Sequence, residues 1–234
     1  NAHTPWAEAR QVLLTAQFAP SWTEWAPTHA RVEVQLNSAR TAHGEARQVR
    51  LKLQSSPATT NPAIRTTEFQ LTAAEPSTTW GIASNVLIAG ALTHSPTHWI
   101  PASGSASWTW DHLHTRWGDA DNAHLQSTGF LRSNRALGQA GMPWPDRLAD
   151  LSFAMDGILT NVSIVKGNLA RLLVAARWQT PQFHLETRAD EAGAMDARVD
   201  VDTATRDVTF SMASRLSPAS AIPWLGTNAP AWLA

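Results

Sequence analysis

Over long stretches of the chain, apolar and polar residues alternate one for one. Val32, Val34 and Leu36 are interleaved with Arg31, Glu33, Gln35 and Asn37, and Val49, Leu51 and Leu53 with Gln48, Arg50, Lys52 and Gln54. A period of two belongs to a strand with one face against apolar material and the other in water. The alternation returns late in the chain. Val199 and Val201 sit among Arg198, Asp200 and Asp202, and Val208, Phe210 and Met212 among Asp207, Thr209 and Ser211. Asp202-Thr203-Ala204-Thr205 between these runs predicts a hairpin turn.

The pattern also repeats at long range. Glu8-Ala9-Arg10-Gln11-Val12 recurs 37 residues later as Glu45-Ala46-Arg47-Gln48-Val49. Two further steps of 37 reach Trp80-Gly81-Ile82-Ala83-Ser84-Asn85-Val86 and Trp117-Gly118-Asp119-Ala120-Asp121-Asn122-Ala123. Each unit opens on Trp or His, then Ala or Gly, with Ala, then Gln or Asn, then an apolar residue at fixed offsets. The second strand keeps the same phase: Val32, Val34 and Leu36 become Phe69, Leu71 and Ala73, then Ala106, Trp108 and Trp110. A looser copy, Gly157-Ile158-Leu159-Thr160-Asn161-Val162, places a fifth start near 156. A repeated supersecondary unit is the signature of a repeat architecture, because one unit cannot bury its own apolar face.

The expectation is a mainly β protein: a long antiparallel meander of repeated two-strand units, starting near 6, 43, 80, 117 and 156, forming one segment over 1–234. The sheet is expected to curl into a groove or open barrel. Two stretches break the rhythm. Residues 132–147, with Gly138, Gly141, Pro143 and Pro145, predict an inserted loop or short helix in place of the fourth unit's second strand. Residues 217–234 lose alternation, and Pro218 with Gly226 predicts a short C-terminal helix over 219–225. The opening Asn1 and the closing apolar stretch read as cuts from a longer protein.

The buried face of such a meander comprises Val12, Leu14, Phe18, Val32, Val34, Leu36, Val49, Leu51, Leu53, Phe69, Leu71, Val86, Ile88, Leu92, Trp108, Trp110 and Leu125. A contiguous apolar surface of this size must be covered or used. A second sheet would make a sandwich, closure a barrel, and a curled open sheet a groove for acyl chains. Periodicity does not choose among them. A β-propeller is disfavoured because a blade needs four short strands, and 37 residues read as two long ones.

Composition narrows the function. Eighteen basic residues against 19 acidic ones leave no cationic surplus for phosphates, so no nucleic-acid partner is expected. There are no Cys, which excludes disulfides, thiolate metal sites and cysteine nucleophiles. No apolar run is long enough for a membrane helix.

Local chemistry is sparse. Asp111-His112-Leu113-His114 places two imidazoles at i, i+2, usable for a metal but lacking a convincing third ligand. Asp119-Ala120-Asp121-Asn122 opens like a calcium loop without its later Gly and Glu. His184 and Glu186 share a strand face, where a solvated pair is the simpler reading than acid–base work. Asn161-Val162-Ser163 is a formal glycosylation acceptor inside an apolar strand. No nucleophile elbow, phosphate loop or dinucleotide fingerprint is present. The reading is a non-catalytic chain with no cofactor.

The successive meandering strands, the recurrent Trp-Gly-x-Ala-x-Asn opening, the tail Asp202-Thr203-Ala204-Thr205-Arg206-Asp207-Val208-Thr209-Phe210 and Ala221-Ile222-Pro223-Trp224-Leu225-Gly226 resemble the AsmA/TamB superfamily of bacterial envelope proteins. The resemblance implies a periplasmic protein anchored in the inner membrane by a segment outside this chain. It implies repeating β-groove units that carry phospholipid or another acyl lipid between inner and outer membranes, or support outer-membrane assembly proteins. It carries over no catalytic residue. The alternative from composition is an extracytoplasmic β-sandwich or propeller module that uses its 12 Trp for carbohydrate binding or adhesion.

Overall fold

The computed structural model describes residues 2–3, 7–20, 27–58, 64–95, 101–116, 118–131, 150–164, 167–189 and 195–214. These residues form strands and their connections, with no helix among them. The strands are β1 (Ala2–His3), β2 (Ala7–Arg10), β3 (Leu13–Ala19), β4 (His29–Thr41), β5 (Gly44–Pro57), β6 (Arg65–Thr78), β7 (Gly81–His94), β8 (Ser103–Thr115), β9 (Gly118–Leu131), β10 (Leu151–Ile164), β11 (Gly167–Gln179), β12 (Gln182–Ala189), β13 (Met195–Asp202) and β14 (Asp207–Ser214).

All fourteen belong to one antiparallel sheet in chain order. β2 and β3 lie end to end against β4, so the sheet has one strand position fewer than it has strands. Its first and last strands are not paired with each other, and the sheet is not closed. The described residues thus form a single unclosed meander, with no second sheet and no separate blades among them. The strands of β4–β11 run to 13 or 14 residues, well beyond the usual length of about 5–6.

The 37-residue interval has a backbone cause. Gln11, Gln48 and Asn85 hold left-handed φ values of 51°, 48° and 49° at intervals of 37, and Glu75 and His112, also 37 apart, hold 48° and 49°. Each left-handed residue from 48 to 112 coincides with a register slip. The β5–β6 pairing shifts between Glu45 and Arg47 and between Arg47 and Arg50; the β7–β8 pairing shifts at Ile82, Ser84 and Leu87, the same positions 37 residues on. In the units starting at 43 and 80 the repeat therefore encodes a pair of β-bulges, which bend the strand and increase its twist. Asn tolerates the left-handed region better than most residues, which suits Asn85; Gln11 and Gln48 hold it without that advantage.

The hairpin turns repeat as well. Thr78 Oγ1 donates to the Gly81 carbonyl at 3.1 Å and accepts from the Trp80 and Gly81 amides at 3.1 and 3.2 Å. Thr41 makes the equivalent bonds with His43 and Gly44, and Thr115 with Gly118. These threonines, again 37 apart, extend the repeat into its turns. Trp80 sits on such a turn with 58% of its surface exposed, so it projects from the sheet end and does not pack one unit on the next. The turn predicted at 202–205 is present: Asp202 Oδ1 accepts from the amides of Ala204 and Thr205.

Two expectations change in position. The fourth unit's second strand is not replaced by the 132–147 insertion; it is β10, which pairs with β9 along nearly its whole length. The copy placed near 156 lies inside β10, which runs opposite to the strands bearing the other four starts. It shares the left-handed kink of the first three, at Asn161 with φ 50°, but not their direction. The helix or loop expected near 132–150 and the C-terminal helix over 219–225 lie outside the described residues, apart from Asp150 in a turn.

A continuous apolar face as candidate functional site

Residues opposite one another across an antiparallel ladder share a face. Following the register across the sheet, one row reads Leu14, Val34, Leu51, Leu71, Ile88, Trp108, Leu125, Gly157, Val174, Thr187, Ala197 and Met212. Thr187 is its one polar side chain. The flanking rows carry Val32, Leu53 and Phe69 on one side and Leu36, Val49 and Trp110 on the other. Phe18, Val86 and Leu92 fall on the same face through Ala30, Ala73 and Thr67. Every residue anticipated for this face is thus brought together except Val12, which lies in the break between β2 and β3 and has no ladder partner.

The face extends further than the alternation up to Leu125 indicated. Phe153 and Met155 of β10, Trp178 of β11, Phe183 and Leu185 of β12, and Val208 and Phe210 of β14 continue it. In β10 and β11 apolar residues occupy both faces, as with Ile158 and Leu173 opposite His124 and Arg188, so the period of two is blurred there.

The face is open to solvent. Among the described residues no large side chain is fully buried; the apolar residues that are buried are mostly Ala. Leu14 is 62%, Phe18 61% and Phe210 64% exposed. The most apolar recess among the described residues, of about 540 Å³, lies between Phe69, Leu92, Trp108, Leu151, Phe153 and Met155. Its floor is made by Gly104 and Gly129, paired between Leu92 and Phe153. A Cβ on Gly104 would lie 2.7 Å from Leu92 Cδ2, so the missing side chain is what lets Leu92 lie across the floor. Trp108 Nε1 donates to Ser127 Oγ at 3.0 Å, which holds its indole over β9.

The opposite face is charged and largely self-paired. Arg50 Nε donates to Glu33 at 2.6 Å, Arg177 forms a two-pronged pair with Asp156 at 2.8 and 3.0 Å, and Arg188 meets Asp196 at 2.9 Å. Hydrogen bonds from Gln35 and then Arg50 hold the Glu33 carboxyl below its ordinary range. On β12–β13, His184 Nδ1 lies 2.6 Å from Asp200, and Arg198 donates to the same carboxylate at 2.8 Å. Arg198 and then His184 lower the Asp200 pKa, and Asp200 in turn raises that of Arg198. His184 is therefore engaged by Asp200, with Glu186 4.0 Å away from its other nitrogen. A broader depression of about 700 Å³ lies on this face, over Ala89, Ala91, Ser105 and Ser107. It is larger than the apolar recess and about as open, but its lining mixes polar and apolar groups.

The sequence-level metal candidates resolve into cross-strand pairs. His114 contacts Asp119, and His112 Nδ1 lies 4.0 Å from Asp121. Asp119–Asn122 is extended strand within β9 rather than a loop. Asp121 also accepts from the Asn161 side-chain amide at 2.9 Å, so that side chain lies on the exposed surface, at a left-handed residue of β10. Among the described residues no three His, Asp or Glu side chains gather as a metal site.

Fold and site together define a class: a repeat-built antiparallel sheet with one apolar and one self-paired charged face, in which the site is a surface running across the strands. No family model, curated protein or solved structure matches this chain.

Proposed function

We propose that this chain is a stretch of an acyl-lipid conduit, its sheet curling into a groove that holds lipid tails against the apolar face. The observation that carries the reading is the in-register apolar row from Leu14 to Met212. Twelve strands at about 4.8 Å spacing make that path on the order of 50 Å long. An apolar path of that length lets a lipid exchange one apolar neighbour for the next without entering water. Each methylene it keeps covered contributes about 0.8 kcal/mol. Headgroups need no dedicated site, since they remain at the open side in water. The apolar recess falls within the range of about 300–1,000 Å³ usual for small-molecule sites.

The resemblance of the Trp-Gly-x-Ala-x-Asn units to the AsmA/TamB superfamily supplies the setting: a periplasmic segment passing phospholipid between inner and outer membranes, or serving outer-membrane assembly, attached to the inner membrane by sequence outside this chain.

The test is lipid occupancy. Incubated with vesicles of phosphatidylethanolamine and phosphatidylglycerol and re-isolated, the protein retains lipid detectable by native mass spectrometry. Leu51→Asp, Leu71→Asp and Ile88→Asp each reduce that retention several-fold while the far-ultraviolet circular dichroism stays that of the parent. A lipid-free parent whose Asp variants simply unfold would show the face to be a sealed core.

A further inference from the structure

β14 is paired on one side only among the described residues, so its outer edge presents peptide N–H and C=O groups that a sheet otherwise satisfies. Its side chains show the same want of a neighbour. Val208 and Phe210, 67% and 64% exposed, are the barest large apolar residues described, whereas Val201 and Val199 opposite them are half-buried. Edges that must stay unpaired are usually guarded by Lys, Pro, a bulge or an inward charge. β14 carries none of these from Val208 to Ala213; its other face there is Thr209, Ser211 and Ala213. The opposite end of the sheet is split between β1, two residues long and paired with β2, and β3, paired with β4 alone, so it offers two short edges and not one continuous strand.

We propose that this edge is an interface between two copies of the chain, β14 of one protomer pairing antiparallel with β14 of its partner about a twofold axis at Phe210. An axis perpendicular to the sheet keeps the two apolar faces on the same side. Phe210 then opposes its own copy, and Val208 opposes Met212 of the partner subunit, so apolar meets apolar. Thr209 opposes Ser211 of the partner subunit, and Asp207 opposes Ala213 of the partner subunit, so no like charges meet. On its β13 side β14 sets Val201, Val199 and Ala197 opposite Val208, Phe210 and Met212, so a strand docking on the outer edge must likewise bring apolar residues to those three positions, and β14 itself supplies them. The interface is isologous and closes at two copies.

The absence of Cys makes the test direct, using the full 234-residue chain. In the proposed register the two Phe210 Cα atoms lie about 4.5–5.5 Å apart, within disulfide reach. Phe210→Cys is expected to form a covalent dimer on mild oxidation, far faster than Thr205→Cys on the neighbouring turn. The parent is expected to sediment as a concentration-dependent dimer. The double variants Thr209→Lys with Ser211→Lys, and Thr209→Glu with Ser211→Glu, set like charges opposite each other and are each monomeric. Mixed, they restore the dimer, which misfolded variants would not do. A parent that stays monomeric, Phe210→Cys linking no faster than Thr205→Cys, dimers that survive the introduced charges, or a mixture that stays monomeric would each overturn the proposal.

Discussion

Gln48 holds a left-handed backbone with a β-substituted side chain, a conformation that costs an L-residue roughly 1–2 kcal/mol relative to glycine. Its place in the repeat gives a clean experiment. Gln48→Gly is expected to leave stability unchanged or raise it, relief of strain being partly offset by glycine's greater freedom when unfolded. Gln48→Val is expected to destabilise by about 1–3 kcal/mol, since a β-branched residue tolerates this region worst. Denaturant titration of the two variants measures both. If Val and Gly behave alike, the bulge is not fixed at this residue. The same position shows what the sequence discloses at this scale. The Gln/Asn recurrence is visible in the letters, but its meaning, a forced φ, is not. The threonines of the turns escaped notice because three identical residues 37 apart carry little weight until their hydroxyls are seen closing hairpins.

At the level of the strand, glycines on the apolar face sit opposite bulky neighbours, Gly90 opposite Phe69 and Gly157 opposite Leu125. The two differ in what surrounds them. A Cβ on Gly90 would lie 2.1 Å from the Ser105 carbonyl and 2.9 Å from Ala106 Cα, both backbone atoms of the adjoining strand. On Gly157 the nearest atom is Leu125 Cδ2 at 1.9 Å, the far end of a side chain that can rotate away, with the His124 carbonyl next at 3.1 Å. Gly90→Ala is therefore expected to cost about 1–3 kcal/mol as β7 and β8 separate, and Gly157→Ala distinctly less, read from their denaturation midpoints.

The charged face of β12–β13 makes a prediction about pH. Arg198 and His184 hold Asp200 in its ionised form, so its folded pKa is depressed. A depressed carboxylate contributes stability that is present above the ordinary Asp value of about 3.9 and is lost as pH falls through the folded value. Because the group is exposed, solvent screens the effect. Carbon-detected titration of the Asp200 carboxyl is expected to give a midpoint below that of an ordinary Asp. Arg198→Gln is expected to move it upward; an unmoved midpoint would mean the pair is not populated in solution. His184 and Glu186 illustrate the limit of one-dimensional reading here. Their shared face is evident from spacing, whereas the stronger partner, Asp200, lies 16 residues away and is brought in by the register.

Over the whole molecule, substantial contacts between strands join sheet neighbours only. Such an assembly is quasi-one-dimensional, its stability a sum of strand-pair terms, and it can open from either end. Hydrogen exchange is therefore expected to grade along the sheet, slowest in β6–β9 and fastest in β1–β3 and β13–β14. Uniform protection would instead point to a single cooperative core.

The sequence by itself determined the strand character, the two-faced alternation and the repeat interval, because these depend on residue order along one strand and on recurrence. It also identified nearly all of the apolar face up to Leu125, since side-chain direction alternates with a period of two whatever the strand pairs with. Only the tertiary structure decided that the strands join one unclosed sheet, and that β10–β14 extend the same face. It also decided that β10 stands where an insertion was expected. These outcomes rest on register, and register is set by contacts between residues far apart in the chain, through hydrogen bonds that alternation alone leaves open to a sandwich, a barrel or a sheet.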